Sequence, residues 1–291
     1  MEFSFDDIKS DLEKRLKKKR YLHTLSVVEE GLSLNDALKL GFEYEKVALA
    51  CLLHDSAKNN EKEYFELFKE KYGLNEDIFE TFYDVHAKLA PIVSNEIYGC
   101  SDPQILEAIR VHTKGKLNMS KFDKLIYLAD AIDATRDYEG VENIREKAYK
   151  NLNLGVLASM DNTIGYVGNN KYIDKETIEI REGVRRDIMQ DKLQIVIKAC
   201  EDKIAEDVKT IEIGEKTSIA DYFVIATGGS ILQTQAIANE VEEKVEKAGY
   251  EVISKEGFRD GSWILIDLGD IIVHVFTKEQ REFYNLEKLW D

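Results

Sequence analysis

Residues 51–60, CLLHDSAKNN, set a His-Asp pair at the end of an apolar run. Leucine would pack there at no cost, whereas a buried ionisable group is expensive unless something satisfies it. Three things can: a metal ion, a salt partner, or a helix edge that faces solvent. The stretch leading up to it, EKVALACLLHDSAK from Glu45 to Lys58, is apolar nearly all round, as expected of a helix at the centre of a bundle. Helical signals surround it. Asp102 before Pro103 reads as an N-cap and first-turn proline, with Gly115 as the stop beyond that helix. Ser120 with Asp123 three residues on reads as a capping box opening KFDKLIYLADAIDA.

Four of the five histidines fall in this helical part: His23, His54, His86 and His112, at or beside the ends of separate expected helices. Two carboxylates, Asp55 and Asp130, sit in apolar helical contexts. Neutral imidazoles with carboxylates suit a divalent cation such as iron, manganese, cobalt or zinc. No thiol is placed to join them, which disfavours a structural zinc cage. Taken singly, His86 or His112 reads best as a hydrogen-bonded core residue; the full set reads as a site. The basic run RLKKKR at 15–20 reads as the solvated face of a helix.

After about residue 190 the pattern changes. VKTIEIG, YFVIATG, YEVISKE, WILIDLG and IIVHVFT are short β-branched or aromatic runs bounded by turn residues. Leu268-Gly269-Asp270 reads as a hairpin connection between the last two. Between the second and third runs lies a helix capped by Ser230 and stopped by Gly249. TGGS at 227–230 lacks the Gly-Lys-Ser/Thr of a phosphate loop and reads as a capped helix start. His274 reads as structural or interfacial. The join between the two parts falls in the charged stretch 181–192, read as a helical connection.

The 291 residues suffice for two domains, and the net charge of −16 argues against a direct grip on nucleic acid. Cys51, Cys100 and Cys200 are odd in number and unpaired in spacing, as in a reducing compartment. No apolar run approaches the length of a membrane span, and the acidic N-terminus is unlike a secretory signal. The expected location is the cytoplasm.

RYLHT at 20–24, HDSAK at 54–58 and VHTKGKLNMSKFDKLIYLADAID at 111–133, followed by Arg136, resemble the YqeK group of HD-superfamily phosphohydrolases over about residues 1–187. SIADYFVIATG, GSWILIDLGDIIVHVF and REFYNLEKLW resemble the RsfS/Iojap ribosomal silencing factors over about 190–291. The first resemblance implies an all-helical HD domain at 1–187 that hydrolyses diadenosine tetraphosphate to two ADP. Metal ligands would be His23, His54, Asp55 and Asp130, with iron the expected ion; His54, Asp55 and Lys58 would be catalytic. Arg20, Lys58, His86, His112, Thr113 and Arg136 would contact phosphates, or His86 and His112 would bind a second ion. Ser56, Lys116 and DATR at 133–136 depart from the usual residues of the group.

The second resemblance implies a smaller nucleotidyltransferase-like α/β domain with a mixed sheet at 188–291. It would bind the large ribosomal subunit through a ribosomal protein and block subunit joining. Trp263, Phe283, Tyr284 and Trp290 are candidate anchors, with the core as the commoner fate for Phe283. A second copy of the chain is a further expected partner; a membrane is not. Two alternatives stay open for the first domain: a non-catalytic nucleotide sensor regulating translation, and an HD nucleotidase acting on mononucleotides.

Overall fold

The computed structural model describes residues 4–80, 84–168 and 175–290, and divides into two units, Met1–Val184 and Arg185–Asp291. The division falls within one helix, so the charged stretch is helical as read from its composition. The first unit is a helical bundle: α1 (Phe5–Arg15), α2 (Lys18–Ala37), α3 (Tyr44–Leu53), α4 (Glu61–Tyr72), α5 (Val85–Glu96), α6 (Pro103–Val111), α7 (Lys121–Ile132), α8 (Val141–Lys150), α9 (Leu152–Gly168) and the start of α10 (Lys175–Asp202).

The caps lie where the sequence puts them. Asp102 accepts from the Gln104 and Ile105 amides ahead of α6, and Ser120 and Asp123 form the reciprocal box that opens α7. Two expectations need correction. The helix expected to run through His54-Asp55 to Lys58 ends at Leu53, and residues 54–59 continue as turns. A helix end leaves carbonyls without partners, and the His54 ring meets one of them, with Nδ1 donating to the Cys51 oxygen at 2.6 Å. Nor do residues 15–20 form one helical face. Leu16 is extended and buried, and the chain breaks between α1 and α2. Side chains of the turn following Asp55 replace the missing helix bonds: Asn59 Oδ1 accepts from the Lys17 amide at 3.2 Å, and Asn60 Nδ2 donates to the Arg15 oxygen at 3.1 Å.

Helices α2, α3 and α7 meet closely around Gly31. A Cβ there would lie 2.6 Å from Cys51 Sγ, 3.3 Å from Val47 and 3.5 Å from Ala129. These three helices, or the turn after one of them, carry His23, His54, Asp55 and Asp130. Leu52, Leu53, Phe122, Leu125 and Leu128 are fully buried beside them, so the apolar core fixes where the polar groups point.

The second unit holds β1 (Glu206–Glu212), β2 (Tyr222–Gly228), α11 (Ile231–Lys247), β3 (Ser254–Glu256), β4 (Trp263–Asp267), β5 (Ile271–Thr277), α12 (Lys278–Tyr284) and α13 (Leu286–Trp290). The sheet order is β1-β2-β5-β4-β3, with β2 and β5 parallel and the other neighbours antiparallel. Leu268–Asp270 closes the β4–β5 hairpin as expected. Ser230 Oγ accepts from the Gln233 amide, so TGGS is a capped helix start. The third expected strand, YEVISKE, shrinks to Ser254–Glu256 at the sheet edge: Tyr250 is buried, its hydroxyl bonded to Asp191, and Ile253 is exposed.

Trp263, Leu286 and Trp290 pack against the sheet face formed by Ile211, Phe223, Ile225 and Phe276. Phe283 is 78% exposed, which corrects the core reading for that residue; it lies on the short α12, beside half-exposed Tyr284.

His274 on β5 is buried among Phe223, Trp263 and Phe276, and accepts from the Trp263 indole at 3.2 Å. Burial lowers its pKa to about 4. An unfolded imidazole titrates near 6.5, so between these values the unfolded chain holds a proton that the fold excludes. Stability therefore falls as pH drops through that window, by up to ~1.4 kcal/mol per pH unit. Both tryptophans lie in this unit, so their fluorescence reads its unfolding. The urea midpoint is expected to fall between about pH 7 and about pH 5, and His274→Asn to flatten that slope. An equal slope in both proteins would refute the assignment.

Candidate metal centre

Side chains from five helices, or the turns that end them, converge inside the first unit. His23 comes from α2, His54 and Asp55 from the turn after α3, His112 from the end of α6, and Asp130 from α7; His86 joins them from the start of α5. All four imidazoles and Asp55 are at most 5% exposed. Three subsets bring one ligand atom from each member within 4.8 Å of the others: His23, His54 and Asp55; His54, His112 and Asp130; Asp55, His86 and His112. Such a cluster can hold a metal. Asp55 links two of the subsets, with Oδ2 3.4 Å from His54 Nε2 and Oδ1 3.3 Å from His86 Nε2.

The hydrogen bonds on the outer ring nitrogens set the chemistry of the inner ones. His54 Nδ1 and His112 Nδ1 each lie 2.6 Å from a backbone carbonyl, of Cys51 and Ile109, and an acceptor there makes the ring nitrogen the donor. His23 Nδ1 lies 3.0 Å from Asp133 Oδ2 and 3.3 Å from Thr135 Oγ1. In the His54 and His112 rings the proton sits on Nδ1, and Nε2 presents a lone pair inward. His23 instead bridges two carboxylates, with Nε2 2.9 Å from Asp130 Oδ1, and against burial its contacts with Asp130 and Asp133 raise its pKa. His86 is turned the other way: Lys58 Nζ lies 2.8 Å from its Nδ1, so the ammonium donates there and the ring proton belongs on Nε2, toward Asp55.

His54 Nε2 and Asp55 Oδ1 are buried without a hydrogen-bond partner among the described residues. Each such group costs about 1–3 kcal/mol unless something else satisfies it. A divalent cation fits this donor set of imidazole nitrogens and carboxylate oxygens, and none of the three buried cysteines belongs to it.

The electrostatics agree. Burial, followed by the repulsion of neighbouring groups, lowers His86 to about 3 and His112 to about 4, so both are neutral near pH 7. Burial alone would raise Asp55, but the neighbouring His54 and Arg20 hold it well below the usual carboxylate range. Asp130 is likewise held ionised against burial, by His23 and Arg136.

Arg20 Nη1 lies 2.7 Å from Asp55 Oδ2, and Arg136 pairs with Asp130 and Asp133. Lys58 is engaged by His86. Thr113 is half-buried after His112, without a hydrogen bond among the described residues. Of the departures noted from sequence, Lys116 pairs with Glu107 and Asp123, and Ser56 is fully buried.

A cavity of about 620 Å³ opens beside His23, lined by Lys17, Lys19, Arg20, Arg136 and Tyr138, with Asp137 as its one carboxylate among the described residues. Tyr138 also lines a second cavity of about 660 Å³, with Ser159, Asn162 and Tyr166. Asp133, Lys17 and Lys19 are not among the site residues expected from the sequence. Asp133 carries one signal, a spacing of three from Asp130 that puts both on one face of α7 and its end. The lysines carry none, because a basic run is usually solvated.

Comparison with known proteins matches the HD domain over residues 20–135 and the ribosomal silencing factor during starvation over 186–291. The ribosomal silencing factor RsfS of Bacillus subtilis (strain 168) is 47% identical over 98 residues, 34% of this chain and 83% of that protein. The symmetrical bis(5'-nucleosyl)-tetraphosphatase of Halalkalibacterium halodurans is 37% identical over 149 residues, 51% of this chain and 79% of that protein. The solved structure of a predicted HD superfamily hydrolase involved in NAD metabolism from Clostridium acetobutylicum superimposes with a TM-score of 0.58 at 32% identity, covering 64% of this chain and all of that one.

Proposed function

We propose, for a chain that belongs to the HD-domain hydrolases through its first unit and to the ribosomal silencing factors through its second, that residues 1–187 cleave diadenosine tetraphosphate into two ADP and residues 188–291 bind the large ribosomal subunit. One observation carries the first half. His54 and His112 turn a lone pair toward Asp55 and Asp130, and His23 Nε2 meets Asp130, in a buried space beside a cationic cavity.

His23, His54, Asp55 and Asp130 would hold the cation, with iron the preferred identity and manganese, cobalt or zinc the alternatives. When bound, such an ion supplies Lewis acidity toward a phosphoryl oxygen and toward water. The chain's own residues do the rest. Arg20 and Arg136, whose guanidinium forks match phosphate oxygens, border the cavity and orient the polyphosphate. His86 presents Nε2–H, held in that tautomer by Lys58, and donates to a phosphate oxygen. That polarity supports a donor role for His86 over ligation of a second ion. Thr113 stands at the rim beside His112. The cavity beyond Tyr138 offers two tyrosines to a nucleoside.

Incubating the metal-loaded full chain with diadenosine tetraphosphate and separating the products tests the reading. Two ADP support it. ATP plus AMP mean asymmetric cleavage; turnover of mononucleotides alone means a nucleotidase; binding without turnover means a sensor.

For the second unit, family membership and the exposed Phe283–Tyr284 corner support docking on a ribosomal protein of the large subunit, which would block subunit joining in the cytoplasm. Among the described residues no helix is long and apolar enough to cross a membrane. Phe283→Asp is expected to leave the fold intact, because the ring is exposed, and to lower co-sedimentation with large ribosomal subunits at least about tenfold. Unchanged co-sedimentation would move the interface elsewhere.

A further inference from the structure

The basic run at 15–20 is the one strongly charged sequence feature that the proposed chemistry leaves largely unused. We propose that Lys17 and Lys19 form a cationic station for the phosphates farthest from the metal centre, so that the first unit selects long polyphosphate bridges over short ones. This rests on the polyphosphate reading above.

Charge matching favours such a station. The charge of the cations nearest the centre is largely offset by its carboxylates: Arg20 pairs with Asp55 and Arg136 with Asp130 and Asp133, while Lys58 donates to the neutral His86. With those carboxylates balanced by the nearby cations, the centre offers a polyanion little beyond the charge of a divalent ion. A polyphosphate bridge carries a negative charge on each phosphorus, and a tetraphosphate exceeds what such an ion offsets. The remainder needs cations without partners of their own. Among the described residues neither Lys17 nor Lys19 has an ion-pair partner, and both line the cavity that His23, Arg20 and Arg136 border.

The fold also aims them. Lys17 is the N-cap residue of α2, and its amide is held by Asn59 Oδ1, while Asn60 Nδ2 holds the Arg15 carbonyl. The helix junction is thereby fastened to the turn that presents His54 and Asp55. Lys18, between the two lysines, is exposed and does not line the cavity. It supplies an internal control of equal charge and neighbouring position.

Both lysines are exposed, so their attraction is screened by salt. At low ionic strength the metal-loaded full chain carrying Lys17→Ala with Lys19→Ala is expected to show a KM for diadenosine tetraphosphate raised about fivefold to tenfold, with kcat kept. The KM for diadenosine triphosphate should rise less, and high salt should shrink the difference. Lys18→Ala should match the unsubstituted chain. Calorimetric titration with inorganic tripolyphosphate reads binding without turnover, and should weaken by a similar factor in the double variant only.

Equal KM ratios and equal tripolyphosphate affinity in the double variant and Lys18→Ala would overturn the proposal while leaving the hydrolase reading standing. Should the unsubstituted chain cleave no dinucleotide, the hydrolase reading fails. The tripolyphosphate titration then still decides whether the lysines bind a polyanion.

Discussion

His54→Ala is expected to cost the chain its metal and to lower turnover of diadenosine tetraphosphate by more than about a hundredfold, since even partners behind a ligand are worth 10–100-fold. The imidazole is fully buried, its outer nitrogen is committed to the Cys51 carbonyl, and its inner nitrogen has no hydrogen bond to lose among the described residues. Alanine removes an inward lone pair, and without the cation Asp55 and Asp130 keep only their arginine partners to offset their charge. The carbonyl at the end of α3 also loses its partner, a cost of about 1 kcal/mol, so circular dichroism must accompany the metal assay. His86→Ala makes the contrast. A donor at that position predicts full metal content with turnover lost, whereas a ligand for a second ion predicts a drop in stoichiometry. Undiminished metal in His54→Ala would end the case for this centre.

Gly31→Val should have an effect nearly as large without touching a candidate ligand. The added Cβ would begin 2.6 Å from Cys51 Sγ, inside the contact of α2 with α3 and α7. Overpacking of this kind costs about 1–3 kcal/mol or forces the backbones apart. Those backbones carry His23, the His54-Asp55 turn and Asp130, so separating them pulls the groups from their common point. The expected result is a lower thermal midpoint of the first unit together with reduced metal affinity. Gly31→Ala should give a smaller change in the same direction. Normal metal binding by a destabilised Gly31→Val chain would show that the cluster tolerates movement of its helices.

The helix starts at Asp102, Ser120 and Ser230 were legible because a cap is a contact between residues two or three apart. The two-part organisation was legible because hydrophobic period differs between helix and strand. Boundaries set from a distance were not. The helix through Lys58 and the continuous helix at 15–20 were both misread, and one turn explains both. Residues 54–60 leave the helix, and two of their asparagines reach back more than forty positions to hold the α1–α2 junction. Phe283 is a candidate anchor whose apolarity makes the core its commoner fate, yet the sheet face is filled by Trp263, Leu286 and Trp290 and its ring stays exposed.

The sequence by itself determined that a helical part rich in histidine and aspartate precedes an α/β part, and which ionisable residues lie in apolar surroundings. Only the tertiary structure decided which nitrogen of each imidazole faces inward, that Asp133 stands behind His23, and that Lys17 and Lys19 share a cavity with Arg20 and Arg136. A ring's tautomer follows its hydrogen-bond partner. For His23 that partner lies over a hundred residues away, brought near by how two helices are rotated against a common core. Local pattern encodes that a helix has a buried face; the packing of all the helices sets what each face meets.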